Sequence, residues 1–170
     1  PNHTILVTTG TVTSAQLMSQ RLSNKVIHQF IPMDVPNYVD RFLAHWQPNS
    51  CIFVESELWP NLIIRAKKRG VKLALINARI SPKSYSKWKY TGNIVKFLLS
   101  NFDVIVAQDP SNAERLKALS GKDVKTYGNL KMASSTLPAN EIEIDKNNVP
   151  LSTKMGYVFY RVSIWIFLSG

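Results

Sequence analysis

Residues 50–76 read SCIFVESELWPNLIIRAKKRGVKLALI. Residues 50–54 and 71–76 are short aliphatic runs of the kind buried on both faces of a sheet, and residues 60–69 between them carry apolar side chains at helical spacing. Pro60 sits where a first helical turn tolerates a missing N–H. Gly70 follows a last turn bearing Lys67, Lys68 and Arg69, where a left-handed stop is needed and the negative helix end favours cations. A strand, a helix and a second strand this close together predict a right-handed crossover between parallel strands.

The same grammar extends in both directions. Residues 4–8, 25–31, 103–107 and 124–127 read as further buried strands, and residues 13–22, 36–46, 82–99 and 111–119 as helices. Pro36 opens a helix as Pro60 does, Asp109-Pro110-Ser111 offers a cap, and Gly121 offers another stop. Six strands alternating with helices predict an α/β fold, a Rossmann-like parallel sheet with helices on both faces. Residues 1–138 are expected to form this domain. From Ala133 the pattern gives way to polar, strand-poor sequence, so residues 139–170 are expected to be a linker and an apolar tail. Residues 157–168 are apolar except for a few positions such as Arg161 and Ser163, yet too few to span a bilayer, which needs about 20. They admit three readings: an edge strand or interfacial segment, an exposed sticky tail, or sequence foreign to the fold.

Composition narrows the function classes. The 170 residues are 45% hydrophobic and 10% aromatic, enough for one good core, and 21 Lys plus Arg against 11 Asp plus Glu leave a net charge of +10. Disorder, collagen and coiled coil do not fit these proportions. The lone Cys51 lies in an apolar run and reads as a buried thiol of a reducing compartment. With only His3, His28 and His45 beside it, scattered singly, no metal site is expected, and no cofactor either. The chain opens with Pro1 and enters a strand pattern at once, without signal peptide or membrane anchor, as a fragment of something longer would.

In a parallel α/β sheet the ligand crevice lies beyond the carboxyl ends of the strands. The residues there are polar: Thr8-Thr9-Gly10-Thr11, Pro32-Met33-Asp34, Glu55-Ser56-Glu57, Asn77-Ala78-Arg79-Ile80-Ser81, Gln108-Asp109 and Gly128-Asn129-Leu130-Lys131. The hydroxyl-rich first turn can offer donors to a phosphate or sugar, or simply cap a helix; it has neither G-x-x-x-x-G-K nor G-x-G-x-x-G. Glu55 and Glu57 at a strand end would repel one another unless a cation stands near. Arg79 from the neighbouring strand end is the natural partner, either in a ligand pocket or as a lock between two loops with Trp59 packed beneath. Asn77 can serve the pocket or only tie down a turn. Basic residues from Arg65 to Lys96, interleaved with Tyr85, Trp88 and Tyr90, suit a phosphate-rich partner or a lipid headgroup boundary, or merely a solvated face.

Taken together, Val54-Glu55-Ser56-Glu57-Leu58-Trp59-Pro60-Asn61-Leu62, Asn77-Ala78-Arg79-Ile80-Ser81, Thr8-Thr9-Gly10-Thr11 and Gly128-Asn129-Leu130-Lys131 resemble, in order and over about residues 4–138, the 3-deoxy-D-manno-octulosonic acid (Kdo) transferase family of lipopolysaccharide assembly. The resemblance implies the acceptor-side, N-terminal half of a GT-B glycosyltransferase, which moves Kdo from CMP-Kdo to the lipid A precursor at the cytoplasmic face of the bacterial inner membrane. It implies that Glu57 and Lys131 support charge in the transition state as catalytic residues, and that Thr9, Thr11, Glu55, Asn77 and Arg79 shape the acceptor pocket. The implied partners are CMP-Kdo, the lipid A precursor and an anionic membrane surface, with no nucleic acid.

Departures from the family pattern bear on activity. The family's general base is a glutamate in a G-E motif ahead of the strand containing Ile5, and its donor-binding half follows the linker; neither is in this chain, so the polypeptide alone is expected to be inactive. The competing class is a non-catalytic binding module using its basic face for anionic lipid or nucleic acid, with salt-sensitive affinity. A third is a degenerate gene product made poorly soluble by its apolar tail.

Overall fold

The computed structural model describes residues 3–55, 58–91, 93–127 and 162–168. Strands β1 (His3–Thr9), β2 (Val26–Phe30), β3 (Ser50–Val54), β4 (Lys72–Ala78), β5 (Val104–Ala107) and β6 (Lys125–Thr126) alternate with helices α1 (Val12–Arg21), α2 (Pro36–Trp46), α3 (Pro60–Lys68), α4 (Pro82–Tyr90), α5 (Asn93–Ser100) and α6 (Pro110–Ser120). β1 pairs parallel with β2, and β3, β4, β5 and β6 pair parallel in succession. The punctuation is as the sequence predicts. Pro36, Pro60, Pro82 and Pro110 begin their helices, Thr11, Ser81 and Asp109 accept N–H bonds as caps, and Gly70 and Gly121 take φ of 82° and 70°.

Two expectations change. The helix predicted over 82–99 is two helices. α4 stops at Thr91, whose backbone N–H and hydroxyl both donate to the Trp88 carbonyl, ending the i to i+4 ladder. The break lets the halves differ: α5 buries Val95, Leu98 and Leu99, whereas α4 buries no residue fully.

The larger change concerns the apolar tail. Residues Val162–Leu168 form a seventh strand, β7, in the order β2-β1-β7-β3-β4-β5-β6. It runs antiparallel to both neighbours, pairing along all of β1 and along Ser50 to Phe53 of β3. It is therefore neither an edge strand nor an exposed tail, and the sheet is mixed rather than wholly parallel. The physical reason lies in the run itself: continuous apolarity is what a strand covered on both faces requires. Trp165 is 0% exposed; its ring meets Phe42 of α2 and Phe53 of β3 edge to face at 5.0 and 6.0 Å, and its Nε1–H donates to Thr8 Oγ1 at 3.1 Å.

Alternation along the strands separates two cores. Leu6, Trp165, Cys51, Phe53, Leu73, Leu75 and Ile105 face α2, α3, α5 and α6, forming one large cluster with Phe42, Leu62, Ile63, Leu99 and Leu116. Val7, Ile5 and Ile164 face the other way, towards Met18 and Leu22 of α1. A sheet that grows in two directions from its centre by right-handed crossovers must place its helices on opposite faces in this way. Carboxylates then tie the layers. Asp34 after β2 accepts the N–H groups of Asn61 and Leu62 at the start of α3, with the Asn61 side chain donating to the Asp34 carbonyl. Asp40 of α2 pairs with Arg65 of α3 and with Arg69 at its end. Asp103 accepts from Lys67 Nζ at 2.6 Å and from the Leu73 N–H at 2.8 Å.

Burial alone would raise the Asp103 pKa, but the Lys67 and Leu73 hydrogen bonds and the Lys67 and Lys72 charges outweigh it and hold the carboxyl below its ordinary value. A depressed carboxyl contributes stability above the unfolded-state pKa of about 3.9 and loses it as pH falls through the folded value. Asp103→Asn should thus unfold at lower urea than the parent chain at pH 7, with the gap closing below about pH 4. Removing the β7 indole is expected to be costlier: Trp165→Ala should lower the unfolding free energy by about 3–5 kcal/mol, while Tyr90→Ala on the exposed end of α4 should stay within about 0.5 kcal/mol. A Trp165→Ala loss below about 1 kcal/mol in urea titration would remove β7 from the sheet.

Candidate functional site

The carboxyl ends of β1 to β6 lie along one edge of the sheet, and strand register sets the described polar residues that follow them along it. Those at the ends of β1 serve the fold. Thr9 is fully buried, its Oγ1 3.0 Å from His28 Nε2 on β2, and its carbonyl accepts the Ile31 N–H. Thr11 caps α1, accepting the Ser14 N–H at 3.2 Å and donating to Ser14 Oγ at 2.7 Å. Both hydroxyls are thus engaged within the protein.

Strands β3 and β4 end differently. Glu55 and Asn77 stand on adjacent strands, and both adopt left-handed backbone, with φ of 65° and 51°. For Asn this is uncommon and for Glu more so, and such conformations persist only where the surroundings impose them. The Glu55 N–H donates to the Ile76 carbonyl at 2.9 Å, which fixes the turn to β4. The turn drives a carboxylate inward: Glu55 is 1% exposed, among Leu58, Leu75, Leu99 and Leu116. Arg79 Nε lies 3.8 Å from Glu55 Oε2, and Trp59 packs against the core alongside. Asn77 is buried as well, and among the described residues no donor reaches its Oδ1. Left-handed backbone, a buried carboxylate paired with a half-exposed guanidinium and a buried amide oxygen within one turn of each other are costly features.

Arg79 leads out of this turn into an open cavity of about 470 Å3, which it shares with Ile80, Ser81, Pro82, Ser84, Trp88, Gln108, Asn112 and Arg115. The cavity wall is set by α6. Asp109 caps that helix by accepting the Asn112 N–H at 2.8 Å and orients the Asn112 amide through its second oxygen. Asn112 Oδ1 then accepts the Ile80 N–H at 2.6 Å, and Arg115 Nη1 donates to the Ile80 carbonyl at 3.0 Å. Both polar groups of Ile80 are therefore held by one helix, which aims the Arg79 to Ser81 turn.

Of the seven residues predicted for the site, Glu55, Asn77 and Arg79 come together, and Thr9 and Thr11 lie farther along the same edge, at β1. Glu57 and Lys131 lie outside the described residues. Gln108 was read as a strand-end residue, but Asn112 and Arg115 were missed. Neither has a local sequence signal, because what brings them to the site is the pairing of β4 with β5 at Ala78 and Ala107.

The basic stretch also divides. Arg65, Lys67 and Arg69 are neutralised by Asp40 and Asp103. Lys83, Lys87, Lys89 and Lys96 on α4 and α5 have no ion-pair partner among the described residues, and they accompany Tyr90, Ile94 and Phe97, which are 89%, 73% and 57% exposed. Among the described residues no helix is long and apolar enough to cross a membrane.

The sequence profile of the family described as 3-Deoxy-D-manno-octulosonic-acid transferase (kdotransferase) matches residues 1–134. The 3-deoxy-D-manno-octulosonic acid transferase of Rickettsia felis is 37% identical over 159 residues, 94% of this chain and 34% of its own length. Its counterpart in Haemophilus influenzae is 30% identical over 138 residues, 80% of this chain and 32% of its own. A probable mitochondrial 3-deoxy-D-manno-octulosonic acid transferase of Arabidopsis thaliana is 46% identical over 104 residues, 60% of this chain and 23% of its own. The chain spans about a third of the length of the curated bacterial relatives it matches. The profile match takes in all four motifs at the strand ends, and with most of the chain inside it, the polypeptide belongs to the 3-deoxy-D-manno-octulosonic acid (Kdo) transferase family.

Proposed function

We propose that this chain is the acceptor-side part of a glycosyltransferase of lipopolysaccharide biosynthesis, which transfers Kdo from CMP-Kdo to the lipid A precursor. Residues 1–138 form the acceptor-side domain on this reading, and residues 139–170 supply a linker and the strand that completes its sheet. The observation that carries the proposal is the Glu55, Asn77 and Arg79 cluster: a buried carboxylate and a buried amide on left-handed backbone, with a half-exposed guanidinium beside the carboxylate, at the carboxyl edge of the sheet and inside the family match. In the acceptor pocket, Arg79 would meet anionic or hydroxyl oxygens of the sugar, Glu55 would fix the guanidinium in direction, and Asn77 would offer its amide. Thr9 and Thr11 would line the far end of that pocket through their backbone.

Transfer from a cytidine monophosphate sugar builds positive charge on the departing sugar and negative charge on the phosphate it leaves. Glu57 and Lys131 are the carboxylate and cation suited to those two charges, and we assign them that role. The donor, CMP-Kdo, would bind to a part of the enzyme outside this chain, so the chain alone should not turn over.

The acceptor is a lipid, and α4 with α5 supplies a way to reach it. Four lysines without acidic partners among the described residues, next to exposed Tyr90, Ile94 and Phe97, suit the boundary between anionic headgroups and acyl chains. We therefore place the chain at the cytoplasmic face of the bacterial inner membrane, held peripherally.

The test is co-sedimentation with vesicles. The chain should bind vesicles containing lipid A precursor better than plain phosphatidylcholine vesicles, and Arg79→Ala should reduce the difference by about tenfold, the order of a lost charge-assisted hydrogen bond. Lys83, Lys87 and Lys89 changed together to Gln should weaken binding to any anionic vesicle and flatten its salt dependence. Preference for single-stranded or duplex nucleic acid over the vesicles would overturn the glycan reading. Turnover of CMP-Kdo by the chain alone, at the rate of a full-length relative, would overturn its inactivity.

A further inference from the structure

The boundary of the sheet at β2 is separated from β3 and the Glu55 turn by β1 and β7. Among the described residues β2 stands last in the strand order and pairs with β1 alone. Register fixes which of its backbone groups look outward. The Ile31 N–H donates to the Thr9 carbonyl at 2.9 Å, and the N–H and C=O of one strand residue point the same way, so Ile27, Gln29 and Ile31 turn their groups towards β1. Val26, His28 and Phe30 therefore turn theirs away from the sheet. The Val26 N–H is taken by the Ser23 carbonyl at 3.0 Å. The Val26 carbonyl and both backbone groups of His28 and Phe30 have no hydrogen-bond partner among the described residues.

An edge of this kind is ordinarily blunted by Lys, Pro or a bulge. Val26–Phe30 contains no charged residue and no Pro, and its pairing with β1 runs without a shift. Ile27 and Phe30 are 40% and 52% exposed, and Met33 and Tyr38 just past the strand are exposed as well. Charge selects the partner. A chain of net charge +10 repels its own copies, yet residues 3–33, which build β1, α1 and β2, carry only Arg21 and Lys25 of its 21 Lys and Arg, and no Asp or Glu. A charged partner finds little to grip there, whereas a second copy meets little repulsion there. The outward groups also match themselves. In an antiparallel pair centred on His28, that residue would exchange both backbone bonds with the partner's His28, and its own Phe30 N–H would meet the carbonyl of the partner's Val26. His28 and Phe30 share a face, their rings 6.3 Å apart, so Phe30 would pack beside the partner's Val26 and flank the central pair on both sides.

We propose that the β2 edge is a dimerisation surface whose partner is a second copy of this chain, paired antiparallel about a two-fold axis at His28 so that the two sheets run on as one. The pairing leaves the candidate site open. The carboxyl edges of the two sheets point in opposite directions, and the Glu55 and Arg79 cluster begins two strands further in.

Sedimentation velocity of the whole chain, run from low to high micromolar concentration, tests the interface. The 19.2 kDa monomer should give way to a species of twice its mass. Amide hydrogen exchange over the same series reads the edge itself: the His28 and Phe30 N–H groups should slow as the dimer forms, while those of Ile27 and Gln29, already turned to β1, should not change. His28→Lys sets like charges opposite one another at the axis and should raise the dimer dissociation constant by about tenfold or more, as should His28→Asp. Both changes also remove the His28 contact with Thr9, so the two variants are mixed in equal amounts, where opposite charges now meet and the dimer should return to about the parent level. A chain that stays monomeric throughout, a dimer whose slowed amides lie outside Val26–Phe30, dimerisation indifferent to His28→Lys, or a mixture no more dimeric than its components would each overturn the proposal.

Discussion

The sheet is continuous only because β7 lies between β1 and β3. Neither of those strands pairs with the other, so among the described residues the strand-to-strand hydrogen bonds joining the β2-β1 half to the β3-to-β6 half run through seven residues that arrive far later in the sequence. Trp165 is the physical centre of that join. It touches α2 through Phe42, β3 through Phe53 and β1 through the Thr8 hydroxyl, and so fastens three elements from both halves at one point. An unfilled slot would expose two strand edges and the side chains of Leu6, Cys51 and Phe53, a costly state for a domain with a single large core. The position is also the topological switch point, where the sheet changes its direction of growth and where crevices for ligands open in doubly wound folds. Structural closure and the candidate site share β3, which pairs with β7 on one edge and leads into Glu55 at its end.

That dependence explains the shape of the turns at the carboxyl edge. With β3 held between β7 and β4, the chain must leave the sheet abruptly at Glu55 to start α3, and the left-handed residue makes that bend. Asn77 makes the matching bend on β4. Asp34 anchors the start of α3 from one side, while Asn112 and Arg115 anchor Ile80 from the other. Between two anchored loops the Glu55 and Arg79 side chains have little freedom. A buried ion pair contributes little net stability, but a carboxylate beneath a guanidinium sets the direction in which the guanidinium can meet a ligand. The costs at these positions make physical sense as preorganisation.

How much of this was legible in the sequence follows from how local each cause is. Strand and helix positions rest on periodicity and on Pro, Gly and Asp at element ends, and so the described elements between residues 3 and 127 follow the sequence reading apart from the break at Thr91. Glu55, Asn77 and Arg79 were legible because parallel topology alone puts successive strand ends side by side. Asn112 and Arg115 were not, since only the pairing of β4 with β5 carries α6 to Ile80. Residues 162–168 were misread for a related reason: their apolarity was visible, but the partner strands that explain it lie more than a hundred positions away.

Charge completes the picture, because the net +10 is not spread evenly. Arg65 and Lys67 of α3 and the following Arg69 pair with Asp40 and Asp103 and hold helices and strands together. The lysines of α4 and α5 stand beside exposed aromatic and aliphatic side chains without such partners among the described residues, and the two arginines at Ile80 open into a cavity at the foot of the same α4. Helix α4 carries Trp88 towards the cavity and Lys83, Lys87 and Lys89 towards solvent. It has no fully buried residue, and it is tied to the core through the partly buried Tyr85 and Trp88.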